Sequence, residues 1–119
     1  MNDHVSPALD LFGELLVTRV REKAILDWMK QLDGRMKGET ADRLRADIAV
    51  LGETQLALLR QLVPQIVDTT LHHLLWTLEQ ERSVEVVVVG SGGSQSLRNL
   101  SDGLPGELYE WIERFGGGK

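Results

Sequence analysis

Only one stretch of this chain, Ser83-Val84-Glu85-Val86-Val87-Val88-Val89, is dense in the β-branched residues that suit a pleated, half-buried strand. Elsewhere apolar residues recur at spacings of three and four, the period of a helix face. One strand signal is too few for an α/β fold or for an all-β sandwich or barrel. The expectation is a mainly α fold: a compact bundle of three to five helices with one short β-strand or hairpin near residues 83–100.

The helix boundaries are marked by residue type. Ser6-Pro7 opens the first, because serine can cap free backbone N–H groups and proline suits the first helical position. Leu9, Phe12, Leu16, Val20, Ala24, Trp28 and Leu32 then form one apolar face, interrupted by Gly13 at a cost of about 1 kcal/mol against alanine. Asp33-Gly34 ends it, since glycine accepts the left-handed conformation that closes a helix. A second helix is expected from about Thr40 to Leu51, with Gly52 as its stop, and a third from about Thr54 to Glu81. Pro64 must either kink the third or lie in the first turn of a restarted helix. A last helix runs from about Pro105 to Phe115 on Leu108, Trp111, Ile112 and Phe115.

A chain of 119 residues is read as one domain, 1–119, with frayed ends at 1–5 and 116–119. The absence of cysteine removes disulfides, thiolate metal sites and a cysteine nucleophile. Met1 to Pro7 lacks the basic and apolar regions of a secretory signal. Pro64, Asp68, His72 and His73 break the apolar runs far short of the roughly 20 residues a membrane span needs. No membrane is expected, and the cytoplasm is the default compartment. Net charge is −5, and basic residues from Arg19 to Arg45 are interleaved with acids, so no basic face for nucleic acid is expected.

The segment richest in chemical possibility is Val67 to Glu79. On a helix, Val67, Leu71, Leu74, Leu75 and Leu78 make the buried stripe, and Asp68, His72 and Glu79 fall within about 40° of one another along its border. Carboxylates flanking a histidine are a weak candidate for a metal site or a tuned general base. His73 points about 100° away from His72, and helical zinc pairs favour i, i+4 spacing. The plainer reading makes Asp68 the hydrogen-bond partner of His72 at the core rim. No catalytic residue and no cofactor are assigned.

Gly90-Ser91-Gly92-Gly93-Ser94 after the valines suggests a phosphate-binding loop. Gln95 stands where the dinucleotide pattern needs its third glycine, and no lysine supplies a P-loop. It reads as a turn. Ser101 or Asp102 is expected to cap the last helix. Along that helix Glu107, Glu110 and Glu113, offset by Arg114, form an acidic run suited to a basic partner, with Trp111 beside it. Trp28, Trp76 and Trp111 are expected to pack in or beside the core.

In size, acidity and helical content the chain resembles bacterial toxin-neutralising immunity proteins and adaptor subunits, a likeness that covers no motif. The leading expectation is a small acidic protein-interaction module without catalysis. The alternative is a small metal- or ligand-binding enzyme or carrier using Asp68, His72 and Glu79. Because an apolar strand with bare edges invites pairing, a homodimer through Val84–Val89 is also expected.

Overall fold

A computed structural model of the chain describes residues 6–90 and 92–117. The first helical column comprises α1 (Pro7–Leu15), a π-helical stretch (Leu16–Arg21) and α2 (Glu22–Leu32) without interruption. Ser6 caps it, its Oγ accepting the Leu9 N–H at 3.2 Å, and Gly34 closes it with φ of +74°. After α3 (Glu39–Ile48) comes the 28-residue α4 (Glu53–Gln80). Gln55 Oε1 accepts the Gly52 N–H at 2.5 Å, anchoring the start of α4. The helix continues through Pro64 and does not restart there.

Strand β1 (Val87–Gly90) pairs antiparallel with β2 (Gly93–Ser96), in register Val87↔Ser96 through Gly90↔Gly93. Gly93, at φ +111°, makes the tight turn possible. The strand is shorter than the 83–89 run, and the hairpin satisfies one edge of β1 within the chain. A 3-10 turn, Leu97–Leu100, leads to α5 (Leu104–Phe115). Of the ends expected to fray, 1–5 and 116–119, only Gly116 and Gly117, which follow α5, are among the described residues; 1–5 and 118–119 lie outside them. The mainly α fold with a small hairpin is the observed one. Among the described residues no helix is long and apolar enough to cross a membrane.

The core gathers where α1, the π-helical stretch, the second half of α4 and α5 meet the hairpin. Leu9, Leu16, Val17, Leu71, Leu75, Leu97, Leu104, Leu108 and Trp111 form one buried cluster. Each such side chain contributes roughly 1.5–3 kcal/mol by leaving water. Trp111 lies against Gly13, where an added Cβ would overlap the indole, so the glycine is required for close approach of α1 and α5. Its poor helix propensity is offset by that packing.

The π-helical stretch alters the expected apolar face. A wider turn holds more residues, so the phase of the stripe shifts as it passes through. Val17 is brought fully into the core, whereas Val20 and Trp28, expected on the buried face, are about half exposed. The other end of the molecule, built from α2, α3 and the first half of α4, is thinner. Leu32, Ala41 and Val63 are buried there, outside the main cluster. The resulting body measures 53 × 31 × 25 Å.

One side chain joins the two kinds of structure. Arg98, in the 3-10 turn, donates to the carbonyl oxygens of Leu78, Glu81 and Val84 at 2.7–3.2 Å. These belong to the C-terminal end of α4 and the segment after it, where carbonyls lack intrahelical donors and a cation is favoured.

Candidate interaction surfaces

Asp68, His72 and Glu79 lie along one border of α4, as the helical period requires, but each meets a different element. Asp68 takes a two-pronged ion pair from Arg21 at the end of the π-helical stretch, with Nε–Oδ1 2.6 Å and Nη2–Oδ2 3.2 Å. Arg21 also contacts Glu22 at 2.7 Å. The Asp68 hydrogen bonds, followed by the nearby negative charges, raise the Arg21 pKa against the opposing effect of burial. His72 Nδ1 is 3.2 Å from the Tyr109 hydroxyl on α5, in place of the expected Asp68 contact. Glu79 Oε1 accepts the Leu104 N–H at 2.5 Å, capping α5 from a distant helix.

Asp68 and Glu79 stand about 16 Å apart along the α4 axis, too far for one ion or one substrate atom. His73 is exposed and meets the His72 ring edge to face at 5.3 Å. Among the described residues no group of three His, Cys, Asp or Glu side chains is placed to hold a metal ion. The border acts as three successive clamps that fasten α1–α2 and α5 to α4.

The acidic run of α5 divides as well. Glu107 accepts from the Ser101 hydroxyl at 2.8 Å, and the same Ser101 Oγ accepts the Gly103 N–H at 3.0 Å. Glu107 is thus part of the helix start, while Glu110 and Glu113 are exposed. Arg114 reaches Asp10 on α1 at 3.0 and 3.2 Å; this bond, with smaller effects from Glu110 and Glu107, raises its pKa. Trp111 cannot belong to a partner surface. It is 1% exposed, with Phe12 edge-on at 5.8 Å, and serves the core.

The other two tryptophans correct the expectation of core packing. Trp76 is exposed, as is Leu74 from the expected buried stripe. Trp28, 47% exposed, stands at the mouth of an open cleft of about 280 Å³ between α2, α3 and α4. Its walls include Leu44, Ile48, Leu59, Leu62 and Ile66, with no charged side chain and only the Trp28 indole N–H as a possible hydrogen-bond donor. Leu58, Leu62 and Ile66, at i, i+4 and i+8, form an exposed ridge on α4 at the edge of this cleft.

The ridge belongs to a longer feature. No exposed residue of α4 from Thr54 to Gln80 is Asp, Glu, Lys or Arg; the exposed types are Thr, Gln, Ala, Leu, Ile, His and Trp. The charged residues in that span are Arg60, Asp68 and Glu79. Arg60 pairs with Asp33 at 2.9 Å, and the other two serve as clamps. A neutral face about 40 Å long therefore runs along a chain in which 26% of residues are charged. Comparison with protein-family models, curated proteins and solved structures returned no match.

Proposed function

We propose that this chain is a small protein-interaction module of adaptor or toxin-neutralising type, without catalysis of its own. The open cleft beside Trp28 supports the reading most. Its lining is apolar and lacks the convergent polar groups that orient a substrate or cofactor. Exposed apolar surface held between helices suits the apolar stripe of another helix. The carboxylates of Glu110 and Glu113 on α5 would favour approach of a basic partner, an effect that weakens with salt.

Immobilised chain challenged with host lysate at low salt tests this, with Trp28→Glu and Glu110→Lys as parallel baits. The expected result is a protein retained by the wild type and lost by one of the two variants, then reproduced with purified partner. Identical retention by all three baits, or no retention at all, would contradict the proposal.

A further inference from the structure

We infer that the outer face of α4 and the adjoining cleft pack against a second copy of this chain, an inference that rests on the interaction-module reading and names one partner. A chain of net charge −5 that associates with itself brings like charges together unless the contact is neutral. From Thr54 to Gln80 the exposed side of α4 is such a surface, because Arg60, Asp68 and Glu79 are all engaged within the molecule. A charged foreign partner would find no complementary charge on this face, whereas an identical neutral face matches it. Depletion of charge at the centre, with an exposed aromatic at the border, is also the composition of interface cores.

Shape points the same way. A two-fold contact requires one patch to carry both halves of the fit. Here the ridge Leu58–Leu62–Ile66 forms one rim of the cleft, Leu62 and Ile66 being walls of it together with Trp28, Leu44, Ile48 and Leu59. Two antiparallel copies of α4 crossing near Leu62 would lay each ridge toward the other copy's cleft, as ridges of residues four apart fill helix grooves. The contact would cover the thin end of the molecule, where the three helices bury Leu32, Ala41 and Val63 apart from the main core. It would also place the homodimer on α4 and not on the Val84–Val89 strand, one edge of which is already paired in the hairpin.

Light-scattering mass and sedimentation from about 1 to about 100 µM test the inference. The wild type is expected to approach twice the 13.3-kDa chain mass. The double substitution Leu58→Glu with Ile66→Glu should weaken association at least about tenfold, since charge is then buried in the contact. Val87→Pro should associate as the wild type does. Should the glutamate pair disturb the helical circular-dichroism signal, Gln61→Glu with Gln65→Glu, both at exposed polar positions, gives the same comparison. A wild-type mass that stays at 13.3 kDa would overturn the second copy, while lysate capture remains the separate test of the module. A dimer that survives both glutamate pairs, or one abolished by Val87→Pro alone, would overturn it too.

Discussion

The two sides of α4 are made from the same helix and do opposite work. Its inner border carries Asp68, His72 and Glu79, each tied to a different element, below which Leu71 and Leu75 enter the core. Its outer side carries Leu58, Leu62, Ile66 and Trp76 in water, with no charge from Thr54 to Gln80. Polar residues on the inside complete hydrogen bonds between helices. Apolar residues on the outside leave between about two fifths and three fifths of their surface in water. A helix whose outer face serves only solubility would carry charges there, as α3 does with Glu39, Asp42, Arg43 and Arg45.

The largest expected effect lies on the inside. Trp111→Ala should cost about 3–5 kcal/mol, because the indole packs against Gly13 and Phe12 and its removal leaves a cavity there. Denaturant unfolding would read this as a fall in midpoint. A loss below about 1 kcal/mol would mean that α5 is not fastened as described. Asp68→Ala ranks next, at roughly 1–3 kcal/mol, since it leaves the half-buried Arg21 guanidinium without its main partner. His72→Ala should cost less than Asp68→Ala; the reverse order would return His72 to candidacy as the centre of a site.

On the outside, Leu58→Glu with Ile66→Glu should change the unfolding free energy of the isolated chain by no more than about 0.5 kcal/mol per substitution. Both side chains are largely in water, so little folding energy is lost. The smallest effect expected concerns acid. Asp33 accepts hydrogen bonds from Arg60, the larger influence, and Arg35, which hold its carboxyl below the ordinary value of 3.8. A depressed carboxylate stabilises the fold above its unfolded pKa, and that contribution disappears as pH falls through the folded value. The latch between the end of α2 and α4 should therefore loosen only below about pH 4. Asp33→Asn should flatten that part of a melting-temperature profile slightly, and an unchanged profile would show that the latch is slack.

Much of this architecture is legible in the residues. Ser6-Pro7 and Gly34 mark helix ends because capping depends on side chains adjacent in sequence. Gly52, expected to stop the second helix, instead caps the start of α4, the second helix having ended at Ile48. The β-branched run and the glycine turn likewise announce the hairpin. Features that depend on distant contacts are not legible. Arg21 lies 47 positions from Asp68, and helical periodicity does not indicate which cation will arrive. The π-helical stretch moves Trp28 off the buried face without any residue that announces it. Arg98 binds backbone carbonyls, which carry no sequence signal at all. The neutral face of α4 was visible throughout: after Glu53, the helix has only Arg60, Asp68 and Glu79 as charges, all off the Leu58–Leu62–Ile66 row.

The division of α4 into a folding side and an association side is tested most directly by melting temperature as a function of protein concentration. Association stabilises the folded chain by mass action, so the wild-type melting temperature should rise across about a hundredfold increase in concentration. The Leu58→Glu, Ile66→Glu chain should melt near the dilute wild-type value at every concentration. Leu75→Ala, which removes a fully buried side chain, should melt lower throughout yet keep the upward slope. A wild-type melting temperature independent of concentration, or a slope that survives the glutamate pair, would contradict the account.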